Sequence, residues 1–224
     1  MRDLSPARRS QETAGKEDDR AVTTAEELIQ LTTATVSEAL GRMPSIDGAI
    51  GPVWGPASVA GPAFTVEAAP GDLLALHHAV EQAPKGSVLV VATHETDAAV
   101  WGDFIGQDAK LRGIAGLVTD GRVRDAAGLR RLGFPTFARG VTPRAGTEQE
   151  PGRLQVPVTL CGVTVSPGDW VVADDDGVVI VPASRLDDVL CFGRERLERE
   201  PRLRRELEQG TPTLDALGLR PTPG

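Results

Sequence analysis

The segment from Trp101 to Arg139 places the strongest constraint on how this chain can fold. Its sequence, WGDFIGQDAKLRGIAGLVTDGRVRDAAGLRRLGFPTFAR, predicts a loop, a helix, a buried strand, a polar turn, a second helix and a short strand. Charged residues fall where such a chain leaves its sheet: Asp103 opens the first helix, and Arg124 and Asp125 follow the strand IAGLV. Twenty residues separate Asp103 from Arg124. This is room for one helix and its returning strand, so we expect the two clusters to border one cleft.

The composition of the 224-residue chain restricts the classes of partner. The net charge is −8 and the pI is about 5.0, which disfavours a general nucleic-acid binder because such proteins need a basic face. Aromatic residues make up 4% of the chain, so a base-stacking platform is not expected. No window approaches the roughly 20 apolar residues of a membrane span, and the N-terminus lacks the apolar core of a secretory signal. We therefore expect a cytoplasmic protein with no membrane or nucleic-acid partner.

Hydrophobic patterning predicts one α/β domain between two tails. Residues 1–22 are polar and lack periodicity, which is typical of a disordered N-terminal tail. Thr24 with Glu27 fits a capping box and predicts that the first helix begins there. The apolar run SVLVVAT (residues 87–93) is typical of a strand covered on both faces. We assign residues 23–205 to a single α/β domain and residues 206–224 to a flexible C-terminal tail.

The last third of the chain is rich in predicted strands. Asp176-Gly177, between WVVA and VVIVP, predicts a hairpin turn. The run from Asp174 to Gly177 also resembles a cation-binding loop, but it lacks the further spaced ligands of an EF-hand, and the plain turn is favoured. A charged amphipathic helix follows from Ala183, and Pro201 predicts a break in it.

Two interpretations of the charged residues in the central segment remain open from pattern alone. In the first, Asp103 is a plain N-cap, and Asp125 complements a helix dipole beside a solvated Arg124. In the second, these residues line a site at the carboxyl ends of strands. Asp125 and Asp103 would then supply oxygen ligands to Mg²⁺, and Arg124 would offer a donor fork to a carboxylate or an enolate oxygen. Backbone N–H groups from Gly102 to Ile105 would suit an anionic substrate.

The histidines carry weaker signals. His77 and His78 are adjacent on a predicted helix, so their side chains point to different faces and cannot chelate together. His94 is a single imidazole with no partner for a catalytic triad visible in the sequence.

The central residues resemble the signature region of the 4-hydroxy-4-methyl-2-oxoglutarate / 4-carboxy-4-hydroxy-2-oxoadipate aldolases, which share a superfamily with regulator of ribonuclease activity A. The metal-dependent members carry an Asp, twenty intervening residues and then Arg-Asp, which here are Asp103, Arg124 and Asp125. Three further segments are similar to the family: TTATVSEALGR, GPAFTVEA and PGDWVVADDDGVVIVP. The similarity covers roughly residues 24–190.

The resemblance implies a fold, an assembly and an activity. The fold would be a single-domain α/β/β-type sandwich, assembled as a trimer or a dimer of trimers with active sites between subunits. The activity would be that of a class II pyruvate aldolase, which cleaves 4-hydroxy-4-methyl-2-oxoglutarate-like 4-hydroxy-2-keto acids to pyruvate. Oxaloacetate decarboxylation would follow as a side activity through the same enolate.

The resemblance also assigns a role to each site residue. Asp125 would coordinate Mg²⁺ or Mn²⁺, and Asp103 would hold a metal-bound water and take part in proton transfer. Arg124 would bind the keto oxygen and stabilise the enolate. The substrate carboxylate would be held by backbone N–H groups of the loop that comprises Gly102, Asp103, Phe104 and Ile105.

Two features bear on how far the family pattern applies. The family often has a Gly-rich turn after the strand that corresponds to SVLVVAT, whereas this chain has HETD at residues 94–97. This difference leaves open the shape and polarity of the pocket rim, and with them the choice of 2-keto acid.

The aldolases also use an acidic residue of a C-terminal helix that reaches a neighbour's site. Glu195, Glu198 and Glu200 are equivalent candidates here, and a solvated helix face accounts for most of them.

A non-catalytic protein-binding module is the alternative from another class. The ribonuclease regulators of the superfamily resemble this chain in fold but typically lack the metal-binding Asp of the Arg-Asp pair. The presence of Asp125 therefore favours the enzyme.

Overall fold

The computed structural model describes residues 20–41, 45–46 and 48–220. Its helices are α1 (residues 20–30), α2 (Thr33–Ala39), α3 (Leu74–Gln82), α4 (Asp103–Leu111), α5 (Ala126–Leu132), α6 (Leu186–Glu208) and α7 (Thr213–Ala216). Its strands are β1 (Ser45–Ile46), β2 (Gly51–Pro52), β3 (Val59–Glu67), β4 (Val88–Ala92), β5 (Ala99–Trp101), β6 (Gly116–Thr119), β7 (Arg122–Val123), β8 (Thr136–Ala138), β9 (Arg153–Leu154), β10 (Val158–Leu160), β11 (Val163–Val165), β12 (Trp170–Asp174) and β13 (Gly177–Val181). Within this part of the chain, none of the helices combines the length and the apolar character that crossing a membrane requires.

The main sheet has a parallel half and an antiparallel half. Its strand order is β1-β13-β12-β3-β4-β6-β8-β2, and β9 pairs with the side of β3. The strands β3, β4, β6 and β8 are parallel neighbours, as expected where α3, α4 and α5 connect them. The strand β3 joins the halves, because its first residues, 59–62, pair with β12 and its last, 63–67, pair with β4.

The strand β4 shows how the sheet is covered on both faces. Its residues Leu89 and Val91 pack into a cluster with side chains from α3, α4 and α5. The intervening Val88 and Val90 pack into a second cluster with the β10–β11 and β12–β13 hairpins. A third cluster fills the space between the outer face of β12–β13 and the helices α1, α2 and α6, as at Val172. The layers form a single-domain α/β sandwich with a curled sheet, and the predicted fold class is confirmed.

The elements predicted for the central segment occur in the predicted order, as α4, β6, α5 and β8. The strands β5 and β7 were not predicted, because two or three residues are too few to show periodicity. They pair with each other as a separate two-stranded parallel sheet at the ends of β4 and β6.

Two predictions about helices are wrong. The first helix does not begin at Thr24, because Ala21 and Ala25 pack against the third core cluster and the helix already includes residue 20. The predicted break at Pro201 does not occur, and α6 continues through it. Pro201 lies in an exposed stretch of α6, where water can satisfy the carbonyl that proline leaves without a donor.

The division into a domain and two tails stays a prediction. Residues 1–19 of the predicted N-terminal tail lie outside the described residues, and residues 20–22 belong to α1. At the other end, α6 extends beyond the boundary placed at residue 205, and α7 lies within the predicted C-terminal tail.

Candidate active site

The strands β5 and β7 bring the two charged clusters together. They pair in parallel with Trp101 opposite Val123, and the backbone N–H of Arg124 donates a hydrogen bond of 2.8 Å to the carbonyl of Trp101. Gly102 and Arg124 are the next residues along each strand. The chain therefore leaves β5 and β7 side by side, and the helices α4 and α5 begin at the same edge.

Asp125 is oriented towards the cleft rather than towards its own helix. It is the N-cap of α5, but it has φ 57° and ψ 37°, and its side chain makes no capping hydrogen bond. This left-handed conformation is uncommon for a residue with a side chain and is typical of functional sites. Its Oδ2 lies 3.2 Å from Nε of Arg124, and a Cβ atom on Gly102 would be 2.7 Å from the same oxygen.

Asp103 packs between α4 and α5. It is the first residue of α4, and Gly102 is the N-cap, so the interpretation of Asp103 as a plain N-cap is wrong. A Cβ atom on Gly128 of α5 would lie 2.6 Å from Cβ and 2.7 Å from Cγ of Asp103. Only a glycine at this position of α5 leaves room for the half-buried side chain.

The start of α4 offers backbone donors to the same place. The hydrogen bond from Gly106 N–H to the carbonyl of Gly102 is the first of the helix, so the N–H groups of Asp103, Phe104 and Ile105 precede the helical ladder. Ile105 is buried, whereas the side chain of Phe104 is 87% exposed. The backbone N–H groups predicted to bind a substrate carboxylate therefore lie next to the protruding ring of Phe104.

A cavity of about 100 Å³ lies at this edge. Its lining consists of Leu73, His77, Gly102, Phe104, Ile105, Arg124, Asp125 and Glu148. Arg124 and Asp125 also line a wider hollow, together with Val141 and Pro143. The two charged residues therefore border both the small cavity and the more open hollow.

Three lining residues, Leu73, His77 and Glu148, were missed by sequence reasoning. The His77-His78 pair was noticed, but no local pattern connects a helical histidine with a segment more than sixty residues away. Glu148 belongs to the segment 141–150, in which no local pattern indicated a functional residue. In the fold, this segment lies beside the turn before α3 and closes the cavity.

Asp72 fixes that closure. Its side chain is 2% exposed, and it accepts hydrogen bonds from Leu74 N–H (2.9 Å), Thr147 Oγ1 (2.7 Å) and Gln149 N–H (2.8 Å). Burial by itself raises the pKa of Asp72, but the bonds donated by Thr147, Leu74, Gln149 and Glu150 outweigh it and hold the pKa below its ordinary value of 3.8. The carboxylate therefore stabilises the fold in its ionised form.

The segment 94–97 is held by charged side chains. His94 and Glu95 have φ of 54° and 61°, in the region that favours glycine. Two ion pairs hold the segment, Glu95 to Arg139 at 2.7 Å and Asp97 to Arg122 at 3.1 Å. Nε2 of His94 lies 3.9 Å from a carboxylate oxygen of Glu67. His94 lines a separate hollow with Glu67 and Arg153, and it is not part of the cavity at Arg124.

The comparison with known families accounts for the central segment. A family model described as RraA-like (Aldolase/RraA) matches residues 33–180, which is more than half of the chain. The chain belongs to the RraA-like family. The resemblance recognised in the sequence is confirmed.

Individual relatives of this RraA-like chain differ in their names. A Halalkalibacterium halodurans protein named "Putative 4-hydroxy-4-methyl-2-oxoglutarate aldolase" is 38% identical over 165 residues, which are 73% of this chain and 79% of that protein. A solved structure of an uncharacterised Pseudomonas syringae protein is 30% identical with a TM-score of 0.80, covering 89% of this chain and 95% of that one. The RNA-processing inhibitor RraA from Thermus thermophilis is 28% identical with a TM-score of 0.62, covering 67% and 92%.

The acidic residues of α6 do not line the cavity within this RraA-like chain. The helix packs on α1 and α2 through the third core cluster, in which Val189 is buried, and Arg194 pairs with Glu27 of α1. Glu200 is engaged by Arg196 at 3.0 Å and by Arg204 at 3.7 Å, whereas Glu195 and Glu198 are exposed. A role of any of these acids at an active site requires a second subunit.

The Asp-rich run makes the β12–β13 hairpin turn, as favoured from the sequence, with Asp174 opposite Gly177. The carboxylate of Asp174 accepts hydrogen bonds from Thr33 N–H (2.8 Å) and Thr33 Oγ1 (2.7 Å) at the start of α2. Asp175 accepts one from Ala57 N–H at 3.1 Å. These carboxylates hold neighbouring segments of the fold.

Proposed function

We propose that this RraA-like chain is a divalent-metal-dependent pyruvate aldolase that cleaves 4-hydroxy-4-methyl-2-oxoglutarate-like 4-hydroxy-2-keto acids. We propose oxaloacetate decarboxylation as its side activity. The observation that carries the proposal is the conformation of Asp125, whose carboxylate leaves its helix uncapped and lies against Gly102 beside Arg124. The name of the Halalkalibacterium halodurans relative supports the reaction class.

The residues of the cavity fit Mg²⁺ or Mn²⁺. Among the described residues, no group of three or more His, Cys, Asp or Glu side chains is placed to hold a metal ion. This donor set does not suit Zn²⁺, which takes three or four protein ligands. It suits Mg²⁺, which binds through one or two carboxylates and keeps waters or substrate oxygens as its other ligands. Asp125 would hold the ion, which when bound polarises the 2-keto carbonyl.

The chain's own residues then account for binding and charge. The N–H groups of Asp103, Phe104 and Ile105 would bind the substrate carboxylate at the positive end of α4. The guanidinium of Arg124 would donate to the keto oxygen. As the C3–C4 bond breaks, its electron pair moves into the pyruvate enolate, and Arg124 stabilises the negative charge that develops on that oxygen.

Asp103 would serve the proton transfers. The C4 hydroxyl must lose its proton so that C4 becomes a carbonyl carbon, and C3 must gain one when the enolate becomes pyruvate. Asp103 lies at the head of α4 with its side chain held between two helices, so it can orient a water that carries these protons. Oxaloacetate would lose CO₂ from C4 and leave the same enolate.

We further propose a trimer or a dimer of trimers, in which one acidic residue of α6 completes the site of a neighbouring subunit. The exposed Glu195 and Glu198 are better placed for this role than Glu200, since Glu200 already pairs with Arg196 and Arg204.

The test is a coupled assay of pyruvate release from oxaloacetate and from 4-hydroxy-4-methyl-2-oxoglutarate, with Mg²⁺ and then with excess chelator. Turnover should require the metal. Arg124→Ala should lower kcat/KM by about a hundredfold or more, whereas Arg122→Ala, two residues away and paired with Asp97, should change it little. Absence of metal-dependent turnover on both substrates would exclude the aldolase. If the chain is inactive and a pull-down with it recovers a ribonuclease, the non-catalytic protein-binding module is favoured instead. The similarity to the RNA-processing inhibitor RraA from Thermus thermophilis supports this alternative.

A further inference from the structure

The turn between β6 and β7 is anchored by the buried Asp120. This residue follows directly after β6, and its side chain is 3% exposed. Its Oδ1 accepts two hydrogen bonds from Thr93, the residue directly after β4: one from the backbone N–H at 2.6 Å and one from Oγ1 at 2.8 Å. Hydrogen bonds to a carboxylate are stronger than those between neutral groups, so this contact holds the turn against the end of β4.

The next residue, Gly121, brings the backbone of the turn close to the same threonine. A Cβ atom on Gly121 would lie 2.8 Å from Oγ1 of Thr93 and 3.0 Å from Cγ2 of Val100 in β5. The N–H of Gly121 donates to Oγ1 of Thr119 at 3.0 Å. Its carbonyl accepts from the N–H of Arg139, directly after β8, at 3.1 Å. The turn is therefore bound to the ends of β4, β6 and β8.

Only the two residues of β7, Arg122–Val123, separate this turn from Arg124. The backbone N–H of Arg124 then donates to the carbonyl of Trp101. The side-chain pair of Arg122 with Asp97 is exposed, and such pairs contribute little. The place of Arg124 beside β5 thus depends on where the buried contact of Asp120 holds the turn.

Asp125 needs such a restraint because its backbone conformation is unfavourable for a residue with a side chain. Its φ of 57° lies in the left-handed region, which such a residue keeps only where the surrounding structure holds it. On its carboxyl side, α5 begins at once. On its amino side, the restraint comes from β7 and from the turn that Asp120 anchors.

We propose that Asp120 is a positioning residue of the site. By holding the β6–β7 turn on Thr93, it keeps Arg124 against β5 and Asp125 in its left-handed conformation beside Gly102. Asp120 does not line the cavity, so it acts on bound groups only through Arg124 and Asp125. The inference rests on the proposed function in that it takes Asp125 as the metal ligand.

Asp174 provides a matched control because it makes the same kind of contact in another part of the fold. Its carboxylate accepts hydrogen bonds from the N–H of Thr33 at 2.8 Å and from its Oγ1 at 2.7 Å. It belongs to the β12–β13 hairpin and does not line the cavity. The variants of the full chain are therefore Asp120→Ala and Asp174→Ala, with Asp120→Asn as the conservative replacement.

Three measurements compare these variants with the wild type: urea denaturation, amide hydrogen exchange of the peptide that contains β7 and Arg124, and the Kd of Mn²⁺ in the presence of pyruvate. Both alanine variants should unfold at lower urea concentrations. Only Asp120→Ala should speed amide exchange in that peptide, by about tenfold, and weaken Mn²⁺ binding by about tenfold or more. Asp120→Asn should restore most of both values, because both Thr93 donors bind one oxygen, which an amide oxygen can replace.

Equal changes in both alanine variants, or unchanged Mn²⁺ binding in Asp120→Ala, would show that Asp120 serves stability alone and would overturn the inference. If Asp120→Ala does not fold, Thr93→Val and its control Thr33→Val each remove one hydroxyl donor, and the same contrast between them decides. If β7 is loosened selectively but the wild type binds no Mn²⁺ and releases no pyruvate, the positioning role is retained and only the aldolase is excluded.

Discussion

The carboxylate of Asp125 lies against the backbone of Gly102, so that a Cβ atom on Gly102 would be 2.7 Å from Asp125 Oδ2. The same atom would be 3.2 Å from Cγ and 3.3 Å from Nε of Arg124. Gly102 has φ −154° and ψ −175°, which any residue adopts. The absence of a side chain at residue 102 therefore serves the contact with Asp125 and Arg124 rather than the path of the backbone.

Gly102→Ala should separate activity from stability. The atoms that an alanine would displace belong to two partly exposed side chains, so the free energy of unfolding should change by less than about 1 kcal/mol. The displaced groups are the proposed metal ligand and the proposed enolate donor, so pyruvate release should fall by about a hundredfold. Gly51→Ala, where nothing lies within 4 Å of the added Cβ atom, should leave turnover unchanged. Full activity of Gly102→Ala would show that this contact is not part of the site.

Gly128→Ala should reverse the usual effect of alanine in a helix. Alanine normally stabilises a helix interior by up to about 1 kcal/mol relative to glycine, but here its Cβ atom would lie 2.6 Å from Cβ of Asp103. We expect a loss of about 1–3 kcal/mol in the free energy of unfolding, measured by urea denaturation. The added variant Asp103→Ala tests the cause, because it removes the carboxylate but keeps the Cβ atom. Gly128→Ala should cost less in that background if the Cγ contact at 2.7 Å carries the clash.

Periodicity and turn chemistry were sufficient to predict the strands β4 and β6, the helices α4 and α5, and the β12–β13 hairpin. They could not predict β5 and β7, because the pairing of Trp101 with Val123 is between strands too short to show a pattern. The break predicted at Pro201 was wrong because the helix-breaking tendency of one proline was outweighed by the helical turns on both sides of it. In these turns, Arg196 pairs with Glu200, and Arg202 pairs with Glu206.

The residues of the candidate site also include some that the sequence indicated and some that it did not. Asp103, Arg124 and Asp125 were found because their spacing follows from one strand and one helix. Glu148 was missed because its place depends on Asp72, about seventy-five positions earlier in the sequence, which holds Thr147 and Gln149. A buried acid whose partners are loop backbone leaves no periodic trace in a sequence.

The acids of α6 should differ in their effect on turnover. Glu200 pairs with Arg196 and Arg204 on its own helix, so Glu200→Gln should lower thermal stability slightly and leave kcat unchanged. If one acid reaches a neighbour's site, Glu195→Gln or Glu198→Gln should lower kcat without changing the melting temperature. Sedimentation should give a trimer or a hexamer for each variant. Equal activity of all three variants would remove α6 from the proposed site.

Asp72→Asn should change how stability depends on pH. The pKa of Asp72 is lowered in the folded chain by hydrogen bonds to its carboxylate, so its stabilisation is fully present above the unfolded pKa and is lost as the pH falls below about 3.8 towards the folded pKa. At neutral pH, Asp72→Asn should lower the free energy of unfolding by about 1–3 kcal/mol, because an amide cannot accept all the bonds that the carboxylate accepts.

The difference between Asp72→Asn and the wild type should shrink in acid, as the wild type loses the same charge. Urea denaturation at about pH 7 and about pH 3 measures both values. The control is Asp97→Asn, since Asp97 is exposed and pairs with Arg122, and we expect it to change stability little at either pH. A constant stability difference from neutral pH to acid would contradict the role assigned to the ionised carboxylate.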